Sequence, residues 1–171
     1  MNRWLMLALA GVTLAVGALM LGTAPLLPDR VATHFDWNGH ANGWMTREGH
    51  VVFVLAIGVA LPWIVYGLVP LLARKYPRLA SVRDQVYWLD PSRRDATLQV
   101  QRAFAGAIAI LMSLFVLSLH LMLVEANATQ PPRLDNGTLA IAVALFVVAM
   151  LGIAIAHQLR FRRRPDRALQ P

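Results

Sequence analysis

Four stretches of the chain, residues 4–28, 49–73, 103–124 and 136–159, contain no Asp, Glu, Lys or Arg. A helix needs about 20 predominantly apolar residues to cross the bilayer core, and each stretch exceeds that. Four amphipathic helices of a soluble domain would each keep a polar face for water, and these runs leave too little. The pattern predicts an all-α integral membrane protein with transmembrane helices at about 4–27, 49–73, 103–124 and 139–159. Together they form a single four-helix membrane domain over residues 1–171. The small-residue run Gly22-Thr23-Ala24 resembles a signal-peptidase site, but the apolar run before it is long for a signal peptide and Pro25 would follow the cut, so the first helix is expected to be retained.

Between the first two runs lies the most polar and aromatic stretch of the chain, Leu27 to Arg47. Pro28-Asp29 ends the first helix, Val31 to Trp37 is extended in character, and Asn38-Gly39 is a tight-turn signal. Asn42-Gly43 reads as a second turn, and Thr46 is placed to cap the second helix with Glu48 in its first turn. The expected structure is a short ordered cap, hairpin-like or re-entrant, with Phe35, Trp37 and Trp44 at the interface. In the first helix, Gly11, Ala15, Ala18 and Gly22 fall on one face and offer a close helix contact. Pro62 and Pro70 predict distortion in the second helix. Asp90-Pro91 reads as the start of the third helix, preceded by an anchor of Tyr87, Trp88 and Leu89.

Composition sharpens this picture. The chain is 57% hydrophobic and 15% charged, against about 25% charged in a soluble domain. The net charge of +7 would suit nucleic acid, but the distribution of the 16 Lys and Arg argues for a membrane instead. One (Arg3) precedes the first run, seven lie between the second and third, and five follow the fourth; only Arg30, Arg47 and Arg133 occupy the other two connections. The positive-inside rule then places both termini in the cytoplasm, with residues 28–48 and 125–135 on the outer side of the membrane. The tail Arg160-Phe161-Arg162-Arg163-Arg164 reads as a topology anchor on lipid headgroups rather than a nucleic-acid site. Cysteine is absent, which excludes disulfides, thiol catalysis and thiolate metal sites.

Candidate chemistry concentrates in the outer connection. His34, His40 and His50, with Asp29, Asp36 and Glu48, are residue types that ligate zinc, but their spacing fits no metal motif, so no metal site and no cofactor is expected. Histidine is the side chain whose ordinary pKa lies nearest neutrality, so a group of outer histidines could sense pH. His120, among leucines of the third helix, either bonds a neighbouring helix or lines a path; no intramembrane Asp, Glu, Lys or Arg accompanies it. Nucleophile and phosphate-loop motifs are missing. The sites expected to bind a ligand are His34, Phe35, Asp36, Trp37, Asn38, Gly39, Gly43, Trp44 and Arg47; those expected to dock a partner are Tyr87, Trp88, Arg93 and Arg94.

The elements Leu27-Pro28, His34-Phe35, Gly39, Gly43-Trp44 and Thr46-Arg47 resemble a bacterial membrane domain of unknown function that also forms the N-terminal part of SdpI-type toxin-immunity proteins. The likeness runs over about residues 5–75, and Tyr87-Trp88-Leu89 with Pro91 and Arg93-Arg94 extends it toward the third helix. Ala32 stands where the family usually has proline, which implies a looser turn before His34. The resemblance implies a role in immunity or in signalling across the membrane. With the residues themselves, it leads to the expectation of a non-enzymatic inner-membrane protein. Its partners are the lipid bilayer, a peptide or envelope ligand outside, and a cytoplasmic regulator or membrane subunit at segment 74–102. The alternatives are a metal-assisted membrane enzyme centred on His34 and Asp36, and an accessory subunit of a transporter.

Overall fold

A computed structural model describes residues 3–76, 78, 82 and 84–162. Four helices in it are long and apolar enough to span a bilayer, so the chain is a multi-pass membrane protein. Helix α1 covers Arg3–Thr23 and is followed by a single 3₁₀ turn, Ala24–Leu26. Strands β1 (Arg30–Phe35) and β2 (Ala41–Thr46) pair antiparallel. Helix α2 runs Arg47–Lys75, short helix α3 is Gln85–Trp88, α4 is Arg94–Asn127 and α5 is Asn136–Arg162.

The second, third and fourth spans run past their charge-free cores because helical hydrogen bonding continues into polar flanks. Helix α4 begins at Arg94, three residues past Pro91, and runs unbroken through the charge-free stretch 103–124 to Asn127, while α5 begins at Asn136 rather than 139. The first helix is shorter than expected, since Pro25 draws Ala24–Leu26 into the tighter turn. Asp90 does not cap α4. Its carboxylate accepts from the Ser92 backbone N–H, and its carbonyl accepts from the N–H groups of Arg93 and Arg94, so Asp90-Pro91 shapes the turn before the helix. Helix α2 absorbs its first proline with a π-helical turn, Ala56–Ala60, just before Pro62 and continues to Lys75.

The core is three-helical. Helix α1 buries Leu9, Thr13, Val16 and Met20, spaced by three and four residues, against α2 and α4. This stripe is not the small-residue face: Gly11, Ala15, Ala18 and Gly22 are all exposed, and an added Cβ at Gly11 or Gly22 would meet nothing within 4 Å. The close contacts lie elsewhere, at Gly58 against Met20 and Val116 and at Gly106 against Leu5. Within the bundle, Trp63 Nε1 donates to Thr13 Oγ1 at 3.2 Å, and Thr13 passes the bond on to the Leu9 carbonyl.

Helix α5 is peripheral. Apart from Phe161 none of its described residues is buried. It touches α4 through aromatic pairs, Phe115 stacked on Phe146 with centroids 4.2 Å apart and Phe104 edge-on to His157 at 4.9 Å. A helix apolar on all sides and covered by protein on so little of its surface is one that faces lipid.

Candidate ligand site

The hairpin sits over one end of the bundle, and each of its turn residues has a local physical reason. The Asp36 carboxylate accepts from the backbone N–H groups of Asn38 (2.8 Å) and His40 (2.9 Å), and the Gly39 N–H closes the turn on the Asp36 carbonyl at 3.0 Å. The His40 N–H holds the Asp36 carboxyl below its ordinary pKa of 3.8, with the Asn38 N–H and the His40 ring adding to the effect. Gly39 has φ +78°, and a Cβ there would lie 2.3 Å from the Leu134 carbonyl oxygen, so only glycine fits. The close approach allows the Leu134 N–H to donate to the Gly39 carbonyl at 2.9 Å.

Asn42-Gly43 is not a second turn. Both residues lie in β2, where the pairing shifts register between Ala32 and His34 and again between His34 and Phe35. Gly43 is paired with His34, and an added Cβ would come within 3.0 Å of the His34 Cβ and 3.2 Å of its Nδ1, so this glycine makes room for the imidazole. Thr46 caps α2 as expected: its Oγ1 accepts from the Gly49 N–H at 3.1 Å. Arg47 pairs with the exposed Asp29 carboxylate.

Among the described residues, three sets of hydrogen bonds fasten the hairpin to the end of α4, the loop before α5 and the start of α5. Asn127, at the end of α4, accepts from the Ala32 N–H at 2.8 Å and donates to the Ala32 carbonyl at 3.0 Å, in a buried position. Asn136 Nδ2 donates to the Trp37 carbonyl at 2.7 Å, and the third fastening is the Leu134–Gly39 bond. Ala32 therefore does not loosen the strand. A proline here would remove the very N–H that Asn127 accepts.

A second polar junction lies beneath the hairpin, inside the bundle. His50 Nε2 is 3.1 Å from His120 Nδ1, and His120 Nε2 is 2.8 Å from Thr23 Oγ1. Thr23 donates to the Leu19 carbonyl at 2.8 Å, so it must accept from His120; His120 Nδ1 is then the acceptor for His50. The network thus assigns the proton of each ring to Nε2. His50 and His120 are 1% and 0% exposed and join α1, α2 and α4. His120 has the interhelical bond that its position called for, and His50 is withdrawn from the outer histidine group. Of the rest, His34 lies against Thr33, whose Oγ1 is 3.2 Å from its Nδ1, while His40 Nδ1 is 3.7 Å from the Asp36 carboxylate. Among the described residues, no three His, Asp or Glu side chains converge in a metal-binding group.

Between the hairpin, α4 and α5 opens a cleft of about 1100 Å³. Its polar end is formed by Thr33, His34, Asp36, Asn42 and Asn136, with Phe35 and Trp37 beside them. Its walls are apolar: Leu119, Met122 and Leu123 from α4 and Leu139 to Val147 from α5. The Phe115–Phe146 stack is one helical turn along α4 from Leu119 and adjacent in sequence to Val147, and neither ring lines the cleft. The cleft gathers His34, Phe35, Asp36 and Trp37 from the expected ligand residues. Asn38, Gly39, Gly43, Trp44 and Arg47 do not line it; they shape the turn and strands that hold those four. Trp37 is 98% exposed. The α4 and α5 walls were invisible to local reading, because their residues belong to plain apolar spans.

At the other end of the bundle, Trp88 is buried, with Nε1 donating to the Phe161 carbonyl at 3.0 Å and its ring edge-on to Phe161. Thr97 Oγ1 donates to the Trp88 carbonyl. Trp88 is thus a strut between α3, α4 and α5. The Arg93 guanidinium lies 4.4 Å from the Tyr87 ring centre, and Arg94 donates to the Arg74 carbonyl. In the basic tail, Arg160 lies over the Trp88 ring at 6.0 Å, while Arg163 and Arg164 are outside the described residues.

Residues 8–59 match the family model of a domain of unknown function, DUF1648. The match takes in most of α1, the whole hairpin and α2 as far as the π-helical turn. No curated protein and no solved structure matches the chain. The matched region contains the hairpin side of the cleft, whereas Asn127, His120 and the α5 wall lie beyond it.

Proposed function

We propose that this is a non-enzymatic protein of the bacterial inner membrane, both termini cytoplasmic, that recognises an amphipathic ligand at its outer face. The hairpin and the cleft beneath it form the recognition site. The cytoplasmic segment 74–102 docks a regulator or a membrane subunit. The uneven Lys and Arg distribution supports the orientation. The likeness of the hairpin motif to SdpI-type proteins supports immunity or sensing over catalysis.

The observation that carries the reading is the make-up of the cleft: polar hairpin residues at one end, apolar helix walls below, in a volume of about 1100 Å³. Ligand sites combine a few placed polar groups with apolar walls in this way, at volumes from about 300 to 1,000 Å³. The test is photo-crosslinking in native membranes from benzoylphenylalanine replacing Met122. The reading expects a discrete adduct that weakens when Trp37→Ala or Asp36→Asn is added while insertion is unchanged. A residue at position 122 that crosslinks to nothing would refute it.

A further inference from the structure

We infer that the occupant of the outer cleft is a phospholipid of the surrounding membrane with an ammonium headgroup, an ethanolamine phospholipid, entering sideways from the leaflet. The inference rests on the ligand reading above and names its chemical class.

Depth is the first argument. The α5 wall from Leu139 to Val147 rises about 12 Å at 1.5 Å per residue. One leaflet contributes about half of a bilayer core of roughly 30 Å. The cleft is therefore about as deep as one leaflet's hydrocarbon. A lipid-facing helix forms its outer wall, so an acyl chain reaches it without crossing water, whereas a soluble ligand would have to leave the aqueous phase. Ala140 and Ala144 keep that wall shallow enough for a chain to lie along it.

Charge is the second argument. The polar end carries the Asp36 carboxylate and no Lys or Arg. Asp135 adjoins the lining residues Leu134 and Asn136, and its carboxylate is bonded by the Thr138 hydroxyl and the Gly137 N–H. Arg133, whose backbone pairs with that of His40, is the nearest cation along the loop and is not among the lining residues. An ammonium meets a complementary carboxylate here, and a purely anionic headgroup meets a like charge. Thr33, His34 and Asn42 supply hydrogen-bonding groups for the phosphate of the same headgroup.

The experiment is native mass spectrometry of the full chain equilibrated with equimolar ethanolamine and glycerol phospholipids of identical acyl chains. The expected result is about a fivefold excess of retained ethanolamine lipid, the size of one partly exposed ion pair. Asp36→Asn should bring the ratio close to one. Ala144→Trp should lose the retained lipid, and Ala140→Leu, a smaller intrusion into the same wall, should weaken retention in a protein that unfolds at the wild-type temperature. Equal retention of both lipids, a preference unchanged by Asp36→Asn, or retention indifferent to both wall variants would each overturn the inference. If lipid retention fails while position 122 still yields an adduct of peptide mass, the lipid class is wrong and the outer-ligand reading stands. If position 122 yields no adduct either, both are wrong.

Discussion

His50 Nε2 lies 3.1 Å from Nδ1 of His120, across 70 residues of sequence and inside the bundle. The contact ties the first turn of α2 to α4, and Thr23 ties α1 to the same point. Loss of either ring leaves the other with an unpaired nitrogen, at a cost of about 1–3 kcal/mol. Interhelical hydrogen bonds in membranes couple by about 0.6 kcal/mol on average and up to about 1.7. A double-mutant cycle of His50→Ala and His120→Ala, measured by equilibrium unfolding in mixed micelles, should therefore return a coupling within that range. Strict additivity would mean that the rings merely lie side by side.

Asn127 lies seven residues beyond His120, two turns along the same face of α4, and holds both backbone groups of Ala32. Asn127→Leu should leave that pair without its partner and raise hydrogen exchange at the Ala32 amide by more than tenfold, equivalent to about 1.4 kcal/mol. Ala32→Pro removes only the donated N–H and should have a smaller effect on neighbouring Val31. Unchanged exchange in Asn127→Leu would show that β1 is held by its strand partner alone.

The Asp36 carboxyl is held below its ordinary 3.8 in the fold, chiefly by the His40 backbone N–H. Its contribution to the hairpin turn is therefore complete above that pH and fades as the pH falls through the lowered folded value. The amide resonances of Asn38 and His40 should shift together with a midpoint below 3.8, and Asp36→Asn should abolish the shared shift. A midpoint above 3.8 would contradict the turn geometry.

Orientation can be tested without background, since the chain contains no cysteine. Asn38→Cys should react with a membrane-impermeant maleimide on spheroplasts, and Ser92→Cys only after the membrane is opened. The reverse pattern would put the hairpin in the cytoplasm.

Much of the architecture was legible in the sequence because it rests on local features. Charge-free runs gave the spans, Asn38-Gly39 the hairpin turn, and Thr46 the cap of α2. What failed depended on distant partners. His50 groups with His34 and His40 by its place in the sequence, yet its ring bonds to a residue on α4. Nothing local to Asn127 marks it as the residue whose side chain anchors β1. Gly43 reads as a turn from its dipeptide, but its function is to admit the His34 ring into a bulged strand. The available clue was polarity inside apolar helices: Thr23, His50 and His120 all had to find partners away from lipid.

Whether the cleft under the hairpin holds an amphiphile can be seen in a density map of the full chain in a lipid nanodisc. Elongated density is expected between Met122 on α4 and Val143 on α5, ending in a polar group beside Asp36. A map in which α5 closes onto α4 and leaves no room between those residues would contradict it.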